Sequence, residues 1–109
     1  MFRYRVENGT GMTLRYTCVS EHEKVVYRGI LLPSSPLLRF KHGTNPAFEA
    51  QGPSPLLQCS VWDNENEDAP PKVFVLDARR HNFITLLSPY PDVDQCPPEL
   101  LVFAGRLVQ

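Results

Sequence analysis

The stretch Leu14-Arg15-Tyr16-Thr17-Cys18 alternates apolar and polar residues, and Leu56-Leu57-Gln58-Cys59-Ser60-Val61-Trp62 does so again further along the chain. In the first, Leu14, Tyr16 and Cys18 share one side, while Thr13, Arg15 and Thr17 share the other. In the second, Leu57, Cys59 and Val61 oppose Leu56, Gln58, Ser60 and Trp62. A period of two is that of a pleated strand, and in both stretches it turns the thiol toward a core. The cysteines stand 41 positions apart (59 minus 18). That span lets two core strands of one sandwich come face to face, with other strands between them in sequence.

Outward from these two stretches the same pattern recurs. Phe2, Tyr4 and Val6 alternate with Arg3, Arg5 and Glu7, and the run ends at Asn8-Gly9-Thr10-Gly11. That cluster tolerates positive φ and reads as a hairpin turn. Residues 12 to 20 form the first cysteine strand, and Glu21-His22-Glu23 its turn. Residues 25 to 32 carry apolar groups on both faces, as in a strand covered on both sides or at the seam between sheets. Residues 37 to 41 read as a short strand with Leu38 and Phe40 inward. Residues 42 to 55, with Gly43, Asn45, Pro46, Gly52 and Pro53, are the least regular part. Segments of that length without their own structure are often binding segments or simply mobile.

The second cysteine strand is followed by the acidic hairpin loop Asp63-Asn64-Glu65-Asn66-Glu67-Asp68. Residues 72 to 77 are strongly strand-forming through Val73, Phe74, Val75 and Leu76. Residues 83 to 87 make another strand, and a proline-rich connection holds Cys96. Residues 99 to 108 read as a final strand, or as a helical turn and a strand. About eight short strands at roughly ten-residue spacing predict an all-β, single-domain antiparallel β-sandwich of about seven or eight strands over residues 1–109.

Composition narrows the function classes. Eleven prolines against six glycines exclude long helices, because proline breaks helix interiors. A net charge of -1 removes the positive excess that nucleic-acid binding needs. No apolar run approaches the roughly 20 residues that cross a bilayer, so no membrane insertion is expected. The start Met-Phe-Arg-Tyr-Arg-Val-Glu has no charged-then-apolar leader. The expectation is a chain that stays inside the cell, or a mature secreted chain with an added Met1.

Candidate sites follow from residue type. Cys18 and Cys59 on different strands can form an inter-sheet disulfide in an oxidising compartment, and otherwise are two small buried hydrophobes. Cys96 and His81 are too sparse for a zinc site, and the acidic loop lacks the glycine and ligand order of a calcium loop, so no metal or cofactor is expected. Asp63, Glu65, Glu67 and Asp68 form a negative tip, and Arg79 and Arg80, beside His81, a positive corner. Such charge separation suits docking to another protein. Asn8-Gly9-Thr10 is a glycosylation sequon in an expected surface turn. No nucleophile elbow and no phosphate loop is present. His22, His42 and His81 fall in turns or at strand ends, where solvated histidines are common. The chain is therefore expected to be non-enzymatic and to bind a partner protein. The expected surface is its loops, chiefly residues 42 to 55 and the acidic tip, or an exposed strand edge. A small-molecule-binding β-barrel or a small hydrolase is the remaining alternative, to be recognised by an apolar cavity with a convergent polar group.

The order of these parts also carries a likeness. It runs from Val6-Glu7-Asn8-Gly9-Thr10-Gly11-Met12-Thr13-Leu14 through Cys18-Val19-Ser20, a Pro33 turn and Leu38-Arg39-Phe40. It continues with Cys59, Trp62-Asp63 and a strand at residues 73 to 77 before Arg79-Arg80. Over residues 6 to 80 this resembles the plant self-incompatibility S-protein homologues. The resemblance implies a small secreted β-sandwich acting as a signalling ligand for a cell-surface receptor. That family usually has four cysteines in two bridges and three residues between its second cysteine and the tryptophan. Here there are three cysteines. The shorter Cys59-to-Trp62 spacing turns Trp62 to the face opposite Cys59.

Overall fold

The alternation at both cysteine stretches is realised as neighbouring strands of one sheet. The computed structural model describes residues 1–20, 26–37, 43–66 and 68–87, with the backbone of 101–105. Its elements are β1 (Phe2–Asn8), β2 (Leu14–Val19), β3 (Val26–Leu31), β4 (Ala47–Gly52), β5 (Leu56–Asp63), β6 (Lys72–Asp77), β7 (Phe83–Leu87) and β8 (Leu101–Gly105). They form two four-stranded sheets, ordered β4-β1-β7-β8 and β3-β2-β5-β6. The protein is an all-β sandwich.

Every described pairing is antiparallel except that of β1 with β7, which run parallel in the register Val6↔Ile84. The chain leaves the first sheet after β1, builds β2 and β3, returns for β4, leaves again for β5 and β6, and closes with β7 and β8. A parallel neighbour requires such a long crossover connection.

Three expectations change. Residues 8–11 are not a hairpin turn, because β1 and β2 lie in different sheets; they form a corner between layers, and the one glycine with positive φ among the described residues is Gly43 (φ 87). Residues 42–55 are not a loop throughout, since β4 pairs with β1 in the register Tyr4↔Ala50 and Val6↔Phe48. β3 is neither covered on both faces nor a seam: it is a sheet edge, and Val26, Ile30 and Leu32 are exposed. Of the short strand expected at residues 37 to 41, Leu37 lies in a turn. The rest, with Glu21-His22-Glu23, His42, Glu67 and Cys96, lies outside the described residues.

The core sits between the sheets. Tyr4, Val6, Phe48, Ile84 and Leu86 from one sheet meet Leu14, Cys18, Leu57, Cys59, Val61 and Leu76 from the other, all buried. Each fully buried leucine contributes about 1.5–3 kcal/mol. Aromatic rings join the layers: Phe48 of β4 lies with its centroid 4.9 Å from that of Tyr16 and 5.3 Å from that of Tyr27, both tilted.

Candidate protein-interaction surface

The two sheets treat their outer faces differently. On the β4-β1-β7-β8 sheet, Glu7 points outward by the pleat yet is fully buried. Its carboxylate accepts hydrogen bonds from the Gly43 amide at 3.0 Å, Asn45 Nδ2 at 3.3 Å and Thr85 Oγ1 at 3.0 Å, with Arg5 Nη2 at 3.4 Å. The other end of the Arg5 guanidinium reaches Glu49. This polar cluster ties residues 43–45 over β1. The outward position of Glu7 was legible in the alternation; its burial was not, because nothing local shows a distant segment folding over it.

The outer face of the β3-β2-β5-β6 sheet leaves large apolar side chains to solvent. Val26 is 44% exposed, Ile30 55%, Val73 51% and Val75 62%. They make two apolar strips, Val26 and Ile30 on edge strand β3 and Val73 and Val75 on edge strand β6, on either side of the mostly polar outward residues of β2 and β5. Isolated exposed apolar residues are ordinary on protein surfaces, whereas several gathered on one sheet face suit an interaction site. Trp62 lies on this face, opposite in pleat to the buried Cys59, as the spacing predicts. Its ring carries the Arg15 guanidinium at 5.3 Å from the centroid. Arg15, Arg28, Ile30 and Trp62 line a shallow open groove of about 430 Å³ across β3, β2 and β5. Alternation in the sequence separates these residues by face, but nothing in it marks them as one surface.

The negative tip and the positive corner expected from the sequence lie apart on the fold. Asp63, Glu65 and Asp68 lie at the β5–β6 turn, where Asp63 Oδ1 accepts the Glu65 amide at 2.9 Å and so shapes the turn. Arg79 and Arg80 lie at the β6–β7 connection, with Arg79 Nε 3.6 Å from Asp77 Oδ1. β6 runs between them, a distance of roughly 20 Å at about 3.3 Å per residue. The tip and the corner mark opposite ends of one sheet.

Cys18 and Cys59 do come together, but as cross-strand neighbours within one sheet, not across the two sheets. Both are buried free thiols. The side-chain hydrogen bond with Cys18, then burial, then the charge Cys18 would carry, all push the Cys59 thiol well above its ordinary pKa, so it stays protonated. Burial, and secondarily Cys18, also raise the Tyr16 phenol.

Asn8 is inside the fold and not on a surface turn. Its Nδ2 donates to the carbonyls of Met12 at 2.7 Å, Leu31 at 3.3 Å and Leu32 at 3.0 Å, while Oδ1 accepts from the Thr10 amide and hydroxyl. A glycan on Nδ2 and this hydrogen-bond set exclude one another. The amide pins the β1–β2 corner to the end of β3. Among the described residues no group of three His, Cys, Asp or Glu side chains is placed to hold a metal ion, and no helix is long and apolar enough to cross a membrane.

No known protein-family model matches the chain, and no curated protein matches it.

Proposed function

We propose that this sandwich is a non-catalytic module that binds another protein through the bare outer face of its β3-β2-β5-β6 sheet. The observation that carries the reading is the contrast between the two layers: one outer face is overlaid by residues 43–45 around Glu7, the other leaves Val26, Ile30, Val73 and Val75 to solvent. Leaving such a face uncovered forgoes hydrophobic stabilisation that a partner can supply. Glu7, a fully buried carboxylate, is committed to backbone and side-chain donors, which supports a scaffold role for it.

The test is comparative capture from an extract of the natural host. Val73→Thr with Val75→Thr keeps strand-favouring branched side chains and removes apolar surface, and should abolish capture with unchanged thermal unfolding. Replacing Asp63, Glu65, Glu67 and Asp68 together by Ala should leave capture intact. The reverse pattern would place the interaction at the acidic tip.

A second reading is a secreted signalling ligand of the S-protein homologue type, favoured by the direct opposition of Cys18 and Cys59. Opposed residues of antiparallel strands lie about 4.5–5.5 Å apart at Cα, within disulfide reach. Non-reducing mass analysis of native material decides it. A bridge lowers the mass by two hydrogens and blocks alkylation, whereas three alkylated thiols dismiss the idea.

A further inference from the structure

We propose that the bare sheet face takes an extended acidic segment of a protein, seating two carboxylates spaced two residues apart on Arg15 and Arg28. This rests on reading that face as the interaction surface, and adds the chemistry of the occupant.

The register places Arg15 opposite Ile30 and Arg28 opposite Thr17, so the two arginines are diagonal neighbours on one face. Such positions lie roughly 7–8 Å apart, where like charges repel. Among the described residues neither has a carboxylate partner. The acid that shares the face, Asp77, pairs with Leu56 at the far end of β5 from Trp62 and is engaged by Arg79. Among the described residues no carboxylate offsets that repulsion, and an anionic occupant would. Stacking on Trp62 holds the Arg15 guanidinium in place, which lowers the ordering cost of binding.

An extended chain presents residues i and i+2 on the same side, about 6.6–7 Å apart, close to the roughly 7–8 Å between the diagonal strand positions from which the two arginines rise. Each guanidinium can take a carboxylate through paired N–H donors. Exposed Ile30 and Val26, on β3 beside the two arginines, then favour apolar residues at the neighbouring positions, while Val73 and Val75 lie beyond β5 on β6. The fitting occupant is a Glu-x-Glu segment flanked by apolar residues, and not Glu-Glu, whose side chains diverge.

Trp62 is the one tryptophan in the chain, so its fluorescence reports on this groove directly. The test titrates the folded protein with an eight-residue peptide containing Val-Glu-Thr-Glu-Val. Comparison peptides are its Glu-Glu isomer and its Gln-for-Glu analogue, and dextran sulfate is the polysaccharide probe. The first peptide should shift Trp62 emission, bind at least tenfold more tightly than either comparison peptide, and weaken with added salt. Arg15→Gln or Arg28→Gln should each weaken it at least tenfold while thermal unfolding is unchanged. Equal binding of the Gln analogue, or no binding of the Glu-x-Glu peptide at millimolar concentration, overturns the proposal. So does arginine-dependent binding of dextran sulfate with none of the peptide. Self-association of the wild type that Arg15→Gln abolishes makes the occupant a second copy, and also overturns it. If the Val73→Thr, Val75→Thr protein loses host capture while the arginine variants keep it, the acidic segment is refuted and the face stands as the interaction surface; capture kept by both refutes the face itself.

Discussion

Tyr16 lies across Gly29: a Cβ built on the glycine would fall 2.7 Å from the Tyr16 hydroxyl oxygen and 3.0 Å from Cζ. The two residues are opposed on β2 and β3, so the tyrosine ring fills the surface that the glycine lacks. Its far side packs on Phe48 of the other sheet. One cross-strand pair thus sets the approach of an edge strand and joins the two layers.

Gly29→Ala should accordingly destabilise the fold by about 1–3 kcal/mol, the range for overpacking. In a Tyr16→Phe background the added methyl should cost less, because the closest atom is gone while the ring contacts remain. Urea unfolding of the four proteins measures this. Equal costs in both backgrounds would show that the ring is not what excludes a side chain at position 29.

Glu7→Gln should cost about 3–5 kcal/mol, since a buried charged acceptor is removed and the amide nitrogen is set against donors. Glu49→Gln removes a carboxylate that also meets Arg5, but its side chain is 61% exposed. That change should cost less than about 1 kcal/mol. Equilibrium unfolding should therefore separate two carboxylates that share one arginine.

The thiol pair sets a pH dependence under reducing conditions. The folded Cys59 pKa is raised above the ordinary value of 9.0, so the folded state keeps a proton that the unfolded chain releases. Its contribution is fully present below pH 9 and is lost as pH rises beyond it, by up to about 1.4 kcal/mol per pH unit. The raised Tyr16 phenol acts in the same direction above pH 10. Cys59→Val should flatten the decline between pH 9 and 10. An unchanged slope would contradict the protonated buried thiol.

Asn8→Asp should destabilise the corner by about 2 kcal/mol or more, because it places a carboxylate beside the Met12, Leu31 and Leu32 carbonyls in place of a donor. Expressed through a secretory route, the natively folded chain should carry no glycan at Asn8. Glycopeptide mapping of monodisperse, folded protein checks this, and an occupied Asn8 in that fraction would contradict the corner.

Alternation revealed most of the strands because a sandwich strand with one buried face writes its pleat into the sequence, as β1, β2 and β5 do. β4 escaped because Ala47-Phe48-Glu49-Ala50-Gln51-Gly52 has one large apolar residue and poor strand formers; pairing with β1 makes it a strand. The Asn8 corner was read as a hairpin for a related reason: Asn-Gly marks a turn but cannot say whether the next strand returns to the same sheet. The inter-sheet placement of the cysteines failed because inward direction fixes a face and not a partner. The arginine groove was hidden because Arg15, Arg28 and Trp62 are each unremarkable alone and are assembled only by register.

The uncovered sheet face is tested most directly by methyl NMR of the complex with the captured partner. Binding should perturb the methyl groups of Val26, Ile30, Val73 and Val75 and leave those of Val6, Ile84 and Leu86 in place. Perturbation confined to the neighbourhood of Asp63–Glu65 and Arg79–Arg80, with the exposed valines unmoved, would contradict it.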